Sequence, residues 1–224
     1  MTFDFSVIFL GRNFSFLLHG LSMTVAYSCA GFILSLVIGT IIAFGQISSF
    51  SLLRWLSLAY LSWFRATPLL VQLFLLYYGL PIVFGVDTVA WFSGVVALGM
   101  YSGSYSSQII RGAVQSIDRG QMEAGRSLGY SYLQTMTKII VPQAIFRMLA
   151  PLTNEFISLT KNSSLLSTIT VVELFRQANI LIADTYRTLE FLLAVSVMYY
   201  VLNNLIGILG IHLEKRFRTG GELQ

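Results

Sequence analysis

The sequence is poor in charge and in cysteine. Of its 224 residues only 11% are Asp, Glu, Lys or Arg, and Cys29 is the single cysteine. A soluble domain typically carries about 25% charged residues, so this chain cannot cover a water-facing surface. One cysteine excludes a disulfide scaffold. Its four prolines, Pro68, Pro81, Pro142 and Pro151, exclude a collagen-like repeat, and the apolar content excludes disorder. What is present is hydrophobic: 55% of residues, with a mean hydropathy of +0.74. At roughly 20 apolar residues per crossing, the expectation is an all-α integral membrane protein with about five transmembrane helices. No room is left for a separate soluble catalytic domain. The net charge of +4 reads as basic residues held in cytoplasmic loops, not as a nucleic-acid surface.

Residues 1–16 form an amphipathic N-terminal segment, with Phe3, Phe5, Ile8, Phe9, Phe14 and Phe16 interrupted by Asp4, Arg12 and Asn13. An interfacial helix fits this pattern better than a secretory signal. Residues 17–224 then read as one transmembrane domain. Its spans are expected at 17–46, at 55–84 (long or bent, interrupted at Arg65 and Pro68), and at 88–110. The fourth, 144–172, contains Pro151, and the fifth is 191–213. A polar loop is expected at 173–190, and a longer hydrophilic stretch at 111–142. Sorting Lys and Arg by side puts Arg54, Arg111, Arg119, Arg126, Lys138, Arg147, Lys215, Arg216 and Arg218 on one face of the membrane. Arg12, Arg176 and Arg187 fall on the other, so the N-terminus is expected outside and the C-terminus in the cytoplasm.

Within 111–142, residues 120–129 read as a short helix stopped by glycine, and 130–138 as a second. Met122, Leu128, Leu133, Met136 and Ile139 supply apolar contacts, while Glu123 and Arg126 are i,i+3 neighbours. Such a unit suits docking on a soluble partner, and equally a connector packed on its own membrane domain.

The run from Glu123 to Pro142 resembles the EAA loop of ABC-importer permeases. Glu123, Ala124, Gly129, Ile139 and Pro142 stand at matching positions, with Gly125 and Val141 as departures. The resemblance extends over nearly the whole chain and narrows to permeases for polar amino acids of the histidine, glutamine and arginine type. It is carried by Arg65-Ala66-Thr67-Pro68-Leu69-Leu70-Val71-Gln72, by Ile109-Ile110-Arg111-Gly112-Ala113, and by Pro151–Ile157 and 161–165. That group often has Glu where this chain has Gln108, and Asp where it has Asn162. The resemblance implies a bacterial inner-membrane permease that pairs with a second copy or a sister permease. An ATP-binding cassette subunit would dock on the loop, and an extracytoplasmic solute-binding protein would deliver the amino acid. The implied coupling residues are Glu123, Ala124, Gly125, Gly129, Ile139 and Pro142. ATP and Mg would be bound by the partner ATPase and no cofactor by this chain, which has no phosphate-binding Gly-x-x-x-x-Gly-Lys-Ser/Thr loop.

Ionisable groups inside spans are costly and default to function. Arg65, Glu155 and Lys161 are therefore candidate substrate-binding residues. Asn154, Ser158 and Lys161 share a helical stripe with Glu155 beside it, and Gln72 joins them from the segment that resembles the permeases. Pro151 should kink the helix before this stripe. An ion pair between Glu155 and Lys161 or Arg65 is the structural alternative. Glu155 gives a lean towards basic or amide side chains. Gly99-Met100-Tyr101-Ser102-Gly103 reads as close helix packing, Cys29 as buried, inert packing in the first span, and Trp55, Trp63 and Trp91 as interfacial or packing residues. His19 and His212 lack partners at metal spacing, so no metal site is expected, and no catalytic residues. The competing functions are an ion-coupled carrier or channel acting without an ATPase, and a membrane enzyme.

Overall fold

The computed structural model describes residues 4–221. The first residues of the amphipathic segment, including Phe3, and the end of the charged tail, 222–224, lie outside the described residues. Every described element is helical. In chain order they are a 3₁₀ turn at Phe5–Ile8, α1 (Asn13–Ile47), α2 (Ser51–Ala66), α3 (Leu69–Phe74) and, after a π-helical turn, α4 (Leu80–Phe84). Then come α5 (Ala90–Gln115), α6 (Arg119–Ser127), α7 (Tyr132–Thr135), a second π-helical turn leading into α8 (Val141–Asn162), a 3₁₀ stretch at Ser163–Ile169, α9 (Leu174–Thr185) and α10 (Thr188–Gly221).

Among the described residues α1 and α10 are each long and apolar enough to cross a membrane, and the number rises to four if each of two bent pairs is one span. The first pair turns by 108° between α2 and α3, where the chain breaks at Thr67-Pro68 as the interruption in the sequence predicts. Pro68 offers no N–H, and Thr67 is held extended before it. The second pair bends by 48° between the stretch ending at Ile169 and α9. The 26-residue α5 is long enough to cross but is rich in Ser and Gly. The reason is burial: Ser93, Gly94, Gly99, Ser102, Gly103, Ser104, Ser106 and Ser107 are enclosed by neighbouring helices, not by lipid.

The core is organised by α1. Gly20, Thr24, Ser28, Gly31, Ser35, Gly39, Ala43 and Gln46 are buried at spacings of three and four, a single small-residue face running the length of the helix. A Cβ at Gly39 would lie 2.9 Å from Ser106 Cβ and 3.1 Å from Ser107 N, so α1 and α5 touch backbone to backbone there. Larger side chains fill the end near the N-terminus of α1, where Leu17, Leu174, Leu181, Phe191 and Val195 pack with Val7 and Ile8 of the N-terminal turn.

Three expectations need correction. Residues 173–190 are not a loop: they contain α9, whose N-cap is Glu173. This carboxylate is fully buried and accepts from Phe175 N at 2.8 Å, Arg176 N at 2.6 Å and Tyr199 Oη at 3.1 Å. An alternation of polar and apolar residues hid a helix that docks on Gly20 and Thr24 of α1. Arg111 lies on α5, which runs on to Gln115, so the link before the first helix of this stretch is 116–118, not 111–119. Cys29 is exposed, on the side of α1 opposite the buried face. Trp55, Trp63 and Trp91 are also exposed.

Candidate functional site

The Thr67-Pro68 break is held by Gln72. Its Nε2 donates to Phe64 O at 3.1 Å, Thr67 O at 3.1 Å and Thr67 Oγ1 at 2.7 Å, and its side chain is buried. Gln72 thus clamps a bend and lines neither of the polar cavities described below.

Along α8, Pro151 sits inside the helix without ending it. The turns that follow present Glu155, Ser158, Lys161 and Asn162 to a cavity of about 290 Å³, closed on its other side by Tyr101 and Tyr105 of α5. Glu155 Oε1 accepts from Ser102 Oγ at 2.7 Å, and the hydroxyls of Tyr101 and Tyr105 lie 3.2 Å apart. No ion pair joins Glu155 to Lys161 or to Arg65 among the described residues. The cavity therefore presents a carboxylate, an ammonium, an amide and three hydroxyls, a donor set that matches a zwitterion at both ends.

Of the six residues expected here, Glu155, Ser158 and Lys161 come together. Asn154 is exposed and outside the lining, and Gln72 is at the bend. Arg65 lies beyond Tyr105, its guanidinium 5.5 Å above that ring. Tyr101, Tyr105 and Ser102 were missed because the small residues around them read as packing. That packing is real: a Cβ at Gly99 would meet Leu34 at 2.6 Å. The signal available was the i,i+4 tyrosine pair on the opposite side of the same helix.

The loop end is built as a compact hairpin. Asp118 caps α6 by accepting from Gly120 N at 2.7 Å, and Gly129, at φ 85°, reverses the chain after it. Ser131 and Gln134 form a capping box that starts α7. Gly125 is buried where the helices meet: a Cβ there would lie 2.5 Å from Thr135 Cγ2 and 3.0 Å from Ile139 Cδ1. Glycine in place of the family's alanine thus permits close approach of α6 to α7. Ile139 is half-buried, and Pro142 stands directly after the π-helical turn that runs on into α8. Glu123 and Ala124 face outward, Glu123 making no ion pair with Arg126. Leu128, Tyr132 and Leu133 are exposed beside them, Leu128 to 77%.

Comparison with known proteins agrees with this geometry. Residues 35–219 match the family described as binding-protein-dependent transport system inner membrane component. The chain is 34% identical over 219 residues to the arginine transport system permease protein ArtQ of Bacillus subtilis, covering 98% of this chain and 99% of that one. It is 37% identical over 211 residues to the probable glutamine ABC transporter permease protein GlnM of the same organism, covering 94% and 97%. A solved structure of an amino acid ABC transporter with histidines superimposes with a TM-score of 0.89 at 36% identity, covering 96% of this chain and 100% of that one. The MetNI methionine ABC transporter, in an inward-facing conformation, shares the fold with a TM-score of 0.78 at 20% identity, covering 90% and 96%. A helical membrane fold, the loop hairpin and these matches converge: the chain belongs to the binding-protein-dependent transport system inner membrane component family, as the membrane-spanning permease subunit of an ABC importer rather than a carrier or channel acting alone.

Proposed function

We infer that the solute is an amino acid with a basic or amide side chain, held between α5 and α8 in the cavity of Glu155, Ser158 and Lys161. The observation that carries this is the uncompensated pairing of chemistries in one cavity: Glu155 and Lys161 face the same space without bonding each other. Lys161 takes the α-carboxylate and Glu155 a cationic or amide group, with Tyr101 and Tyr105 stacking on the solute. The naming of relatives for arginine and glutamine transport supports this class.

Movement of the solute is driven from the opposite end. An ATP-binding cassette subunit, which binds ATP and Mg, docks on Glu123, Ala124 and the exposed Leu128, Tyr132 and Leu133. Gly125, Gly129, Ile139 and Pro142 shape that hairpin. A solute-binding protein delivers from outside, and a second copy or a sister permease completes the pathway. The hairpin and the C-terminus lie in the cytoplasm, the N-terminal turn outside. In support, Asp4 N donates to Glu190 Oε1 at 3.2 Å at the end of the molecule opposite the hairpin. The nine-to-three division of basic residues favours the same orientation.

The test is equilibrium binding of labelled arginine and glutamine to the permease–ATPase complex in nanodiscs. Glu155→Gln should weaken arginine binding about tenfold and glutamine much less, because a charge-assisted hydrogen bond is lost only for the cation. Equal loss for both, or none for either, would contradict the assignment.

A further inference from the structure

Arg65 and Arg111 share a second cavity that the solute pocket does not use. It measures about 540 Å³ and is lined also by Gln46, Ser62, Tyr105 and Gln108. It lies towards the hairpin end, since Gln46 is in the last turn of α1 and Arg111 near the end of α5. Tyr105 borders both cavities, with the Glu155 pocket on one side and this one on the other. Along α5, Tyr101, Tyr105, Gln108 and Arg111 recur at spacings of four, three and three, so one helix face runs from the first cavity into the second over about 15 Å.

The charge balance of the second cavity is one-sided. Arg111 Nη1 donates to Gln46 Oε1 at 3.0 Å, and Gln108 Nε2 donates to the same oxygen at 2.9 Å. Gln46 Nε2 is itself anchored on Ile42 O at 3.3 Å. A neutral amide thus orients the Arg111 guanidinium without neutralising it. Arg65 rests on the Tyr105 ring, which again leaves its charge in place. Neither Asp nor Glu is among the lining residues, and no ion pair involves either arginine among the described residues. Two guanidinium groups, Arg65 exposed and Arg111 half-buried and oriented by Gln46, face one open cavity without an acid, a setting that suits an anion.

We propose that this cavity is a second station on the inward route, where Arg65 and Arg111 take the solute's carboxylate after it leaves the Glu155 pocket. The proposal rests on the reading of that pocket as the solute site. The amides of Gln46 and Gln108 hold Arg111 in place, and the Tyr105 ring is the partition that the solute passes. A lipid phosphate has the same chemistry, but the shared Tyr105 wall favours the solute.

The experiment counts bound solute. Labelled arginine is titrated onto the nucleotide-free permease–ATPase complex in nanodiscs of pure phosphatidylcholine. Wild type should bind two equivalents per permease, one tighter than the other. Arg111→Gln and Arg65→Gln should each lose the weaker equivalent and keep the tighter one, and should lower kcat for ATP-driven uptake about tenfold with KM little changed. Arg111→Lys should restore part of both. A single equivalent that is lost in Glu155→Gln and untouched in Arg111→Gln overturns the station and leaves the pocket standing. Absence of any binding to wild type overturns the pocket and the station together. An effect of Arg111→Gln seen only in discs containing phosphatidylglycerol overturns the station in favour of a lipid phosphate.

Discussion

Ser102 Oγ donates to Glu155 Oε1 at 2.7 Å, joining the middle of α5 to the turn of α8 that follows its internal proline. This bond fixes the direction in which the only carboxylate of the cavity points. Ser102 is itself buried and outside the cavity lining, so under the proposed function it would act on the solute through Glu155. Ser102→Ala should therefore weaken solute binding by several-fold, about 1 kcal/mol, while leaving the choice between arginine and glutamine nearly unchanged. Competition binding with the two amino acids checks both halves of this expectation.

The hairpin gives a contrasting case, because its exposed residues make few contacts of their own. Glu123 has no ion-pair partner among the described residues and faces outward beside Leu128 and Leu133. Glu123→Ala should leave the permease folded and solute binding intact, yet lower ATP-driven uptake at least tenfold. ATP hydrolysis and uptake measured on the same vesicles will separate uncoupling from misfolding.

Gly125 poses a question of sign. Alanine is a better helix former by about 1 kcal/mol. Against that gain, its Cβ would press on Thr135 Cγ2 at 2.5 Å, and Thr135 is fully buried with its hydroxyl bonded to Ser131 O at 3.0 Å. The side chain has nowhere to go, so Gly125→Ala should lower the thermal stability of the hairpin and weaken ATPase docking. Adding Thr135→Ser, which removes Cγ2 and keeps the hydroxyl, should recover much of the loss. Thermal melting and ATPase pull-down on the single and double variants decide it.

Much of this architecture is legible in the chain, and the misses share one cause. Apolar length located α1 and α10, Thr67-Pro68 located the bend, and the pattern of Glu123, Gly129 and Pro142 located the hairpin. What escaped was structure made by small and polar residues. The buried face of α1, from Gly20 to Gln46, carries no hydrophobic period, because close backbone approach selects Gly, Ser and Thr there. Residues 174–185 read as loop because their helix is capped by a buried acid and packed on that same small-residue face. Gln72 illustrates the limit from the other side: its place in a family segment suggested a solute contact, whereas its three hydrogen bonds hold a backbone break.

The cap of α9 is itself testable. Glu173 is fully buried and satisfies two backbone N–H groups as well as Tyr199 Oη. Glu173→Ala strands these donors away from water, at about 1–3 kcal/mol for each one left unpaired. A marked fall in melting temperature of the purified complex is expected. Glu173→Gln keeps one acceptor oxygen and should fall between the two.

The central claim is that this permease passes a basic or amide amino acid inward under the drive of a docked ATPase. The most direct test is to reconstitute the chain with its ATPase and solute-binding protein in vesicles, and to follow uptake of labelled arginine, histidine and glutamine with and without ATP. Uptake of at least one of them that requires both ATP and the binding protein is the expected result. Flux that proceeds without the ATPase, or ATP hydrolysis that moves none of the three, would contradict it.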